Sequence, residues 1–265
     1  MPLCRRETGE KASVPFRKSC YNGEQIPRET GEWTLFITVN GYKLYYEKHG
    51  EGRPLIMLHG NGEDHTIFDR ALPLLEKSFC CYLVDSRSHG QSDEGELHYD
   101  SMAKDMFCFL EMLELRDVIF YGYSDGGIIG LLTAAQTERI STLIVSGANL
   151  SPSGAKLWTR LKLWLSNLVE PDPKKELMLA EPWITDDVLA RIKACTLVLA
   201  GSRDVIREEE TRHIAESIPG AELEILDGED HGSYIVHSEK IAKLIIEYCR
   251  RTSDVVQNGE KLKVC

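Results

Sequence analysis

A serine hydroxyl attacks a carbonyl only when a base takes its proton, so the residues to weigh first are a serine, a histidine and an acid placed to work together. Gly122-Tyr123-Ser124-Asp125-Gly126 sets a serine directly after an apolar run and directly before a helical pattern. A residue on so tight a strand-to-helix turn has a strained backbone. Side chains two positions to either side would collide, which accounts for both glycines. The turn also puts Ser124 at a helix N-terminus, where amide N–H groups favour a developing oxyanion. Glycine-flanked serines arise by chance as well; the flanking strand and helix favour the nucleophile.

In the order Ser…Asp…His, the acid is expected at a late strand end and the base near the C-terminus. Leu197-Val198-Leu199-Ala200-Gly201-Ser202-Arg203-Asp204 supplies a strand, a turn and an acid. Leu226-Asp227-Gly228-Glu229-Asp230-His231-Gly232 supplies a histidine in a loop before the last helix. Asp204 would hold the imidazole tautomer and His231 would act as general base. Asp227 and Asp230 are rival acids, close to His231 in sequence, and Asn149 stands uncharged where some hydrolases carry the acid. His59-Gly60-Asn61-Gly62 follows another apolar run. The backbone N–H of Asn61, with that of Asp125, would complete an oxyanion hole; the plainer alternative is a glycine turn. His59 reads as a structural residue bonded to loop backbone. The Asp125 side chain either complements the helix dipole or pairs with a cationic group on a substrate.

These residues need a scaffold that brings three distant loops to one edge. Two β-rich runs, 33–39 and 42–49, flank Asn40-Gly41, a hairpin signal. Apolar runs at 54–60, 79–85, 117–123, 141–147, 195–200 and 222–226 alternate with helical stretches at 64–77, 99–115, 125–137, 207–218 and 232–250. Such alternation implies an α/β fold with a mostly parallel sheet covered by helices. Residues 151–192 interrupt it with no strand and read as a small helical cap. Residues 1–32 read as an irregular arm, 33–253 as the domain and 254–265 as a mobile tail.

The chain has 265 residues and a formal net charge of -11, which argues against nucleic acid and membranes as partners. No stretch is apolar enough for a spanning helix, and the N-terminus lacks the apolar core of a signal peptide. The eight cysteines have no zinc-ligand spacing, so no metal is expected. Cys80, Cys108 and Cys195 lie in apolar runs and read as free thiols, which suits a cytoplasmic protein.

Over residues 33–250 the chain resembles the α/β-hydrolase superfamily, in LIMLHGNG, VDSRSHGQSD, YGYSDGG, LVLAGSRDVI and GEDHGS. The SDGG elbow followed by GAN at 147–149 is similar to the biphenyl-hydrolase-like branch, which includes amino-acid ester hydrolases. Ser88 departs from the glycine usual in relatives. The resemblance implies a cofactor-free serine hydrolase acting on a small-molecule ester, thioester or activated amide, as a monomer or homodimer. The same triad could instead hydrolyse a C–C bond, or the fold could bind a ligand without turnover. Dehalogenase and epoxide-hydrolase relatives carry Asp at the Ser124 position. Phe68, Tyr123, Trp158, Trp164 and Trp183 are candidates to line an apolar pocket; for the tryptophans the alternative is packing of the cap onto the body.

Overall fold

A computed structural model describes the backbone of residues 25–27 and 33–257, and side chains from 35 to 252. The sheet starts with β1 (Gln25–Pro27), antiparallel to β2 (Trp33–Val39). These three residues correct the irregular reading of the N-terminal arm; residues 1–24 and 28–32 lie outside the described residues. Asn40 and Gly41 take left-handed conformations, with φ of 49° and 88°. Two successive positive φ values make the tight turn whose twist matches the strands it joins. It links β2 to β3 (Tyr42–His49) with Val39 opposite Tyr42.

Six more strands follow: β4 (Arg53–Leu58), β5 (Phe79–Val84), β6 (Val118–Tyr123), β7 (Ile140–Ser146), β8 (Cys195–Gly201) and β9 (Glu222–Leu226). The spatial order is β1-β2-β3-β5-β4-β6-β7-β8-β9, with β5 onward parallel. The chain runs from β4 outward to β5, then returns to the other side of β4 as β6. Loops leaving β4 and β6 therefore diverge, and a crevice opens at the carboxyl ends of those strands.

Alternation along the strands fills two apolar layers. Ile56, Leu58 and Phe120 face one layer with α2 (Tyr99–Met112) and α3 (Asp125–Ala134). Leu55, Met57 and Tyr121 face the other, with α1 (Leu72–Leu75) and α8 (Lys240–Gln257). Every residue of α3 is buried, which fixes the helix that starts at the elbow. The cap region holds α4 (Leu157–Val169), α5 (Pro173–Ala180) and α6 (Asp186–Leu189); α7 (Glu208–Ser217) separates β8 from β9.

Four expectations change. The helix expected over 64–77 divides into a 3-10 turn at His65–Phe68 and the single turn of α1, which carries Pro73. The last helix begins at Lys240 rather than 232, because 232–238 form turns, with His237 N–H bonded to Ile67 O at 2.8 Å. That helix continues to Gln257, so the chain is still helical where the tail was expected to begin. Cys195, at the partly exposed start of β8, is disulfide-bonded, so the free-thiol reading fails for it.

Candidate active site

Ser124 follows β6 with φ 52° and ψ −115°. A non-glycine residue there is strained, and the surroundings over-determine it. Its N–H donates to Ser146 O on β7 (2.8 Å), its own carbonyl accepts from Gly127 and Ile128 in α3, and Gly126 N–H donates to His59 O (3.1 Å). A Cβ on Gly122 would lie 2.1 Å from Gly126 O, and one on Gly126 would lie 2.3 Å from Leu58 O. Both contacts are with backbone that cannot give way.

His231 Nε2 lies 3.1 Å from Ser124 Oγ, and Nδ1 lies 2.7 Å from Asp204 Oδ1. With Nδ1–H donating to the carboxylate, Nε2 is left to accept the serine proton. Asp204 is buried in the loop after β8, and its Oδ1 also accepts from Ile206 N–H (2.8 Å). The two loops are stitched together by Ser202 N–H to Leu226 O and Arg203 N–H to Glu229 O, each 2.9 Å. Asp230 instead closes its own turn, accepting from the N–H groups of Gly232 and Ser233. Asn149 Nδ2 donates to Ser151 O in a turn of its own.

Gly147 follows β7 with φ 63°, and a Cβ there would sit 2.7 Å from His231 Cε1 and 2.9 Å from Nδ1. Gly147→Ala is expected to displace the imidazole and lower kcat/KM on an ester substrate by about 10²-fold. Unchanged turnover would show that the ring has room elsewhere.

Beside the serine, the backbone N–H groups of Asn61 and Asp125 have no acceptor among the described residues. The Asn61 side chain donates to Asp125 Oδ2 (2.8 Å) and to Lys174 O (3.2 Å). Asp125 is 4 % exposed. Burial raises its carboxyl to about 6, against the opposing hydrogen bonds of Asn61 and Tyr99. The carboxylate thus anchors the β4 loop from beneath, which corrects the idea that it meets a cationic substrate group. His59 serves the same loop: Nδ1 bonds Gly60 O (2.7 Å) and Nε2 accepts from Ser86 N–H (3.0 Å).

Sequence reasoning passed over Glu63, whose Oε2 accepts from Gly60 N–H at 3.1 Å. Burial raises its pKa, while the Gly60 N–H and the neighbouring His231 pull it down. A lone glutamate in a loop of no period leaves no signal of this contact. Tyr99 was passed over too, since its helix position marks only core.

Residues 53–170 match the family model of the alpha/beta hydrolase fold. An esterase from Exiguobacterium antarcticum superposes with a TM-score of 0.67 at 26 % identity, covering 81 % of this chain and 98 % of its own. The chain has the α/β-hydrolase fold. The AB hydrolase superfamily protein YisY of Bacillus subtilis is 27 % identical over 254 residues, 77 % of this chain and 94 % of its own length. Serine hydrolase BPHL of Mus musculus is 33 % identical over 122 residues, 43 % of this chain and 42 % of its own.

The hydrolase fold does not gather all the expected pocket residues. Tyr123 stands beside the cluster, its ring 5.2 Å from the His231 imidazole. Phe68 is wholly buried, edge-on to Tyr121 in the layer with α1 and α8, and lines no substrate space. Trp158, Trp164 and Trp183 are 78 %, 52 % and 75 % exposed, so they do not pack the cap onto the body.

A cleft of about 630 Å³ lies outside this cluster, lined by Glu47, His65, Asp85 and their neighbours, without Ser124, Asp204 or His231. His65 Nδ1 lies 2.8 Å from Asp85 Oδ1, with Nε2 3.6 Å from Glu47 Oε1. Burial lowers the imidazole pKa, but the two carboxylates overcome this and raise it to about 9. The folded value exceeds the unfolded one of about 6.5, so this stabilisation is complete below pH ~6.5 and lost as pH rises through ~9. Urea midpoints should fall across that window, and His65→Gln should flatten the fall; equal slopes in both proteins would refute it.

Proposed function

We propose that this α/β hydrolase cleaves a small carboxylic ester, or a thioester or activated amide, through an acyl-Ser124 intermediate. The observation that carries the reading is the hydrogen-bonded row Asp204–His231–Ser124, with the serine held at a strained elbow. Ser124 Oγ attacks the carbonyl carbon while His231 Nε2 takes its proton. The tetrahedral oxyanion sits against the N–H groups of Asn61 and Asp125. His231 then gives the proton to the leaving group as that bond breaks, and deprotonates the water that releases the acid. Asp204 holds His231 Nδ1–H and stabilises the imidazolium.

The esterase and the serine hydrolase among the similar proteins support this reading. The direct test is a fluorophosphonate probe, with hydrolysis of 4-nitrophenyl esters of graded acyl length. Covalent labelling at Ser124 is expected, and a well-folded chain that takes no label overturns the reading.

The same mechanism gives Asp125 a positioning role through Asn61. Asp125→Ala should lower kcat/KM by about tenfold to a hundredfold, equally on cationic and neutral esters, because a misplaced oxyanion donor is indifferent to substrate charge. A selective loss on cationic esters would restore direct recognition by the carboxylate.

A further inference from the structure

Helix α4 has its apolar residues on the wrong side for a globular protein. None of its residues is buried. Leu157, Trp158, Leu161, Trp164, Leu165 and Leu168 are exposed, while only Thr159, Leu163 and Asn167, spaced four apart, turn toward cover. Isolated exposed leucines are ordinary, but a contiguous apolar helix face calls for an occupant.

Local charge says which occupant. The whole chain carries a formal -11, yet residues 155–169 hold Lys156, Arg160 and Lys162 and no acid. The Lys156 ammonium is engaged by Asp204 O; Arg160 and Lys162 are exposed with no ion pair among the described residues. A second copy of α4 would present the same unbalanced cations. Residues 1–24 carry five basic and three acidic side chains, so they offer no opposite net charge either. Tryptophan and leucine on one face, with arginine and lysine able to reach anionic headgroups, is the composition of a helix lying in a membrane interface.

We infer that α4 docks on an anionic lipid surface, its leucine and tryptophan face entering the headgroup layer. The overall charge that argued against membranes is offset locally, because exposed charges farther than about 8–10 Å from the contact are screened. The helix starts at the loop of the triad acid, where Lys156 N–H donates to Val205 O (2.8 Å), so docking would set that loop against the interface. The inference is independent of whether Ser124 turns over.

The experiment is co-sedimentation of the full chain with vesicles of phosphatidylcholine plus phosphatidylglycerol, and of phosphatidylcholine alone, with tryptophan emission read alongside. Three of the four tryptophans lie in the cap, so a blue shift reports insertion. Binding to the anionic vesicles is expected. Leu161→Glu/Leu165→Glu should weaken it by at least about tenfold, and Arg160→Gln/Lys162→Gln severalfold on anionic vesicles only. Both pairs are exposed, so circular dichroism should be unchanged. Failure of the wild type to sediment with either vesicle overturns the inference. Sedimentation velocity then assigns the face to a second copy if the wild type is a dimer that the glutamate pair dissociates, and to residues 1–24 or water if it is a monomer.

Discussion

Replacing Ser124 by alanine should abolish fluorophosphonate labelling and lower kcat/KM for 4-nitrophenyl esters by about 10⁵–10⁶-fold, and His231→Ala should do nearly the same. The two losses should belong to one unit, since Nε2 stands 3.1 Å from the Ser124 hydroxyl. The double variant should therefore be little worse than either single one. Asp204→Asn should keep the geometry and still cost about 10⁴-fold, because an amide bonded to Nδ1 favours the wrong tautomer. None of these changes removes much buried apolar surface, so urea midpoints should stay near the wild type. Labelling that survives His231→Ala would mean that the serine is activated by another group.

The largest effect on stability is expected far from the serine. Arg87 and Asp105 form a buried bidentate pair: Nε to Oδ2 and Nη2 to Oδ1, both 2.6 Å. Asn40 Nδ2 adds a third bond to Asp105 Oδ1 (2.9 Å), and the guanidinium lies 4.2 Å over the Tyr42 ring. One ion pair thus ties α2 to the loop after β5 and to the β2–β3 hairpin. Asp105→Ala leaves a buried guanidinium with only Glu96 O and an aromatic face for partners among the described residues. A loss of about 3–5 kcal/mol follows, and a fall in Tm of roughly 10 °C. Arg87→Met/Asp105→Leu should recover most of it, since the penalty comes from the stranded charge. An Asp105→Ala protein within about 1 kcal/mol of wild type would show that water reaches Arg87. The pair also bears on the elbow, because Ser86 N–H, next to Arg87, holds His59, and His59 holds the loop of Asn61.

Much of this was legible in the chain because the rules that fix it are local. Positive φ at Asn40 and Gly41 makes one kind of turn. The steric limits at Gly122 and Gly126 arise within a few residues of Ser124. Strands buried on both faces must be apolar throughout, so β4 to β8 announce themselves. The turns at 232–238, which delay the last helix beyond His231, were not legible, since they depend on His237 meeting Ile67 across the fold.

Side-chain partners were decided by the tertiary structure. Sequence proximity offered Asp227 and Asp230 to His231, yet the hydrogen bond runs to Asp204, 27 residues away, because parallel strands deliver both loops to one edge. Asp125 could face substrate or core, and only the packing of α2 and the β4 loop turned it inward. Periodicity gave Phe68 and the cap tryptophans the same apolar standing, but Phe68 went to the core and the tryptophans to the surface. An apolar pattern states that a face must leave water; what covers that face is set by the elements that happen to lie opposite, and those are fixed only when the chain closes on itself.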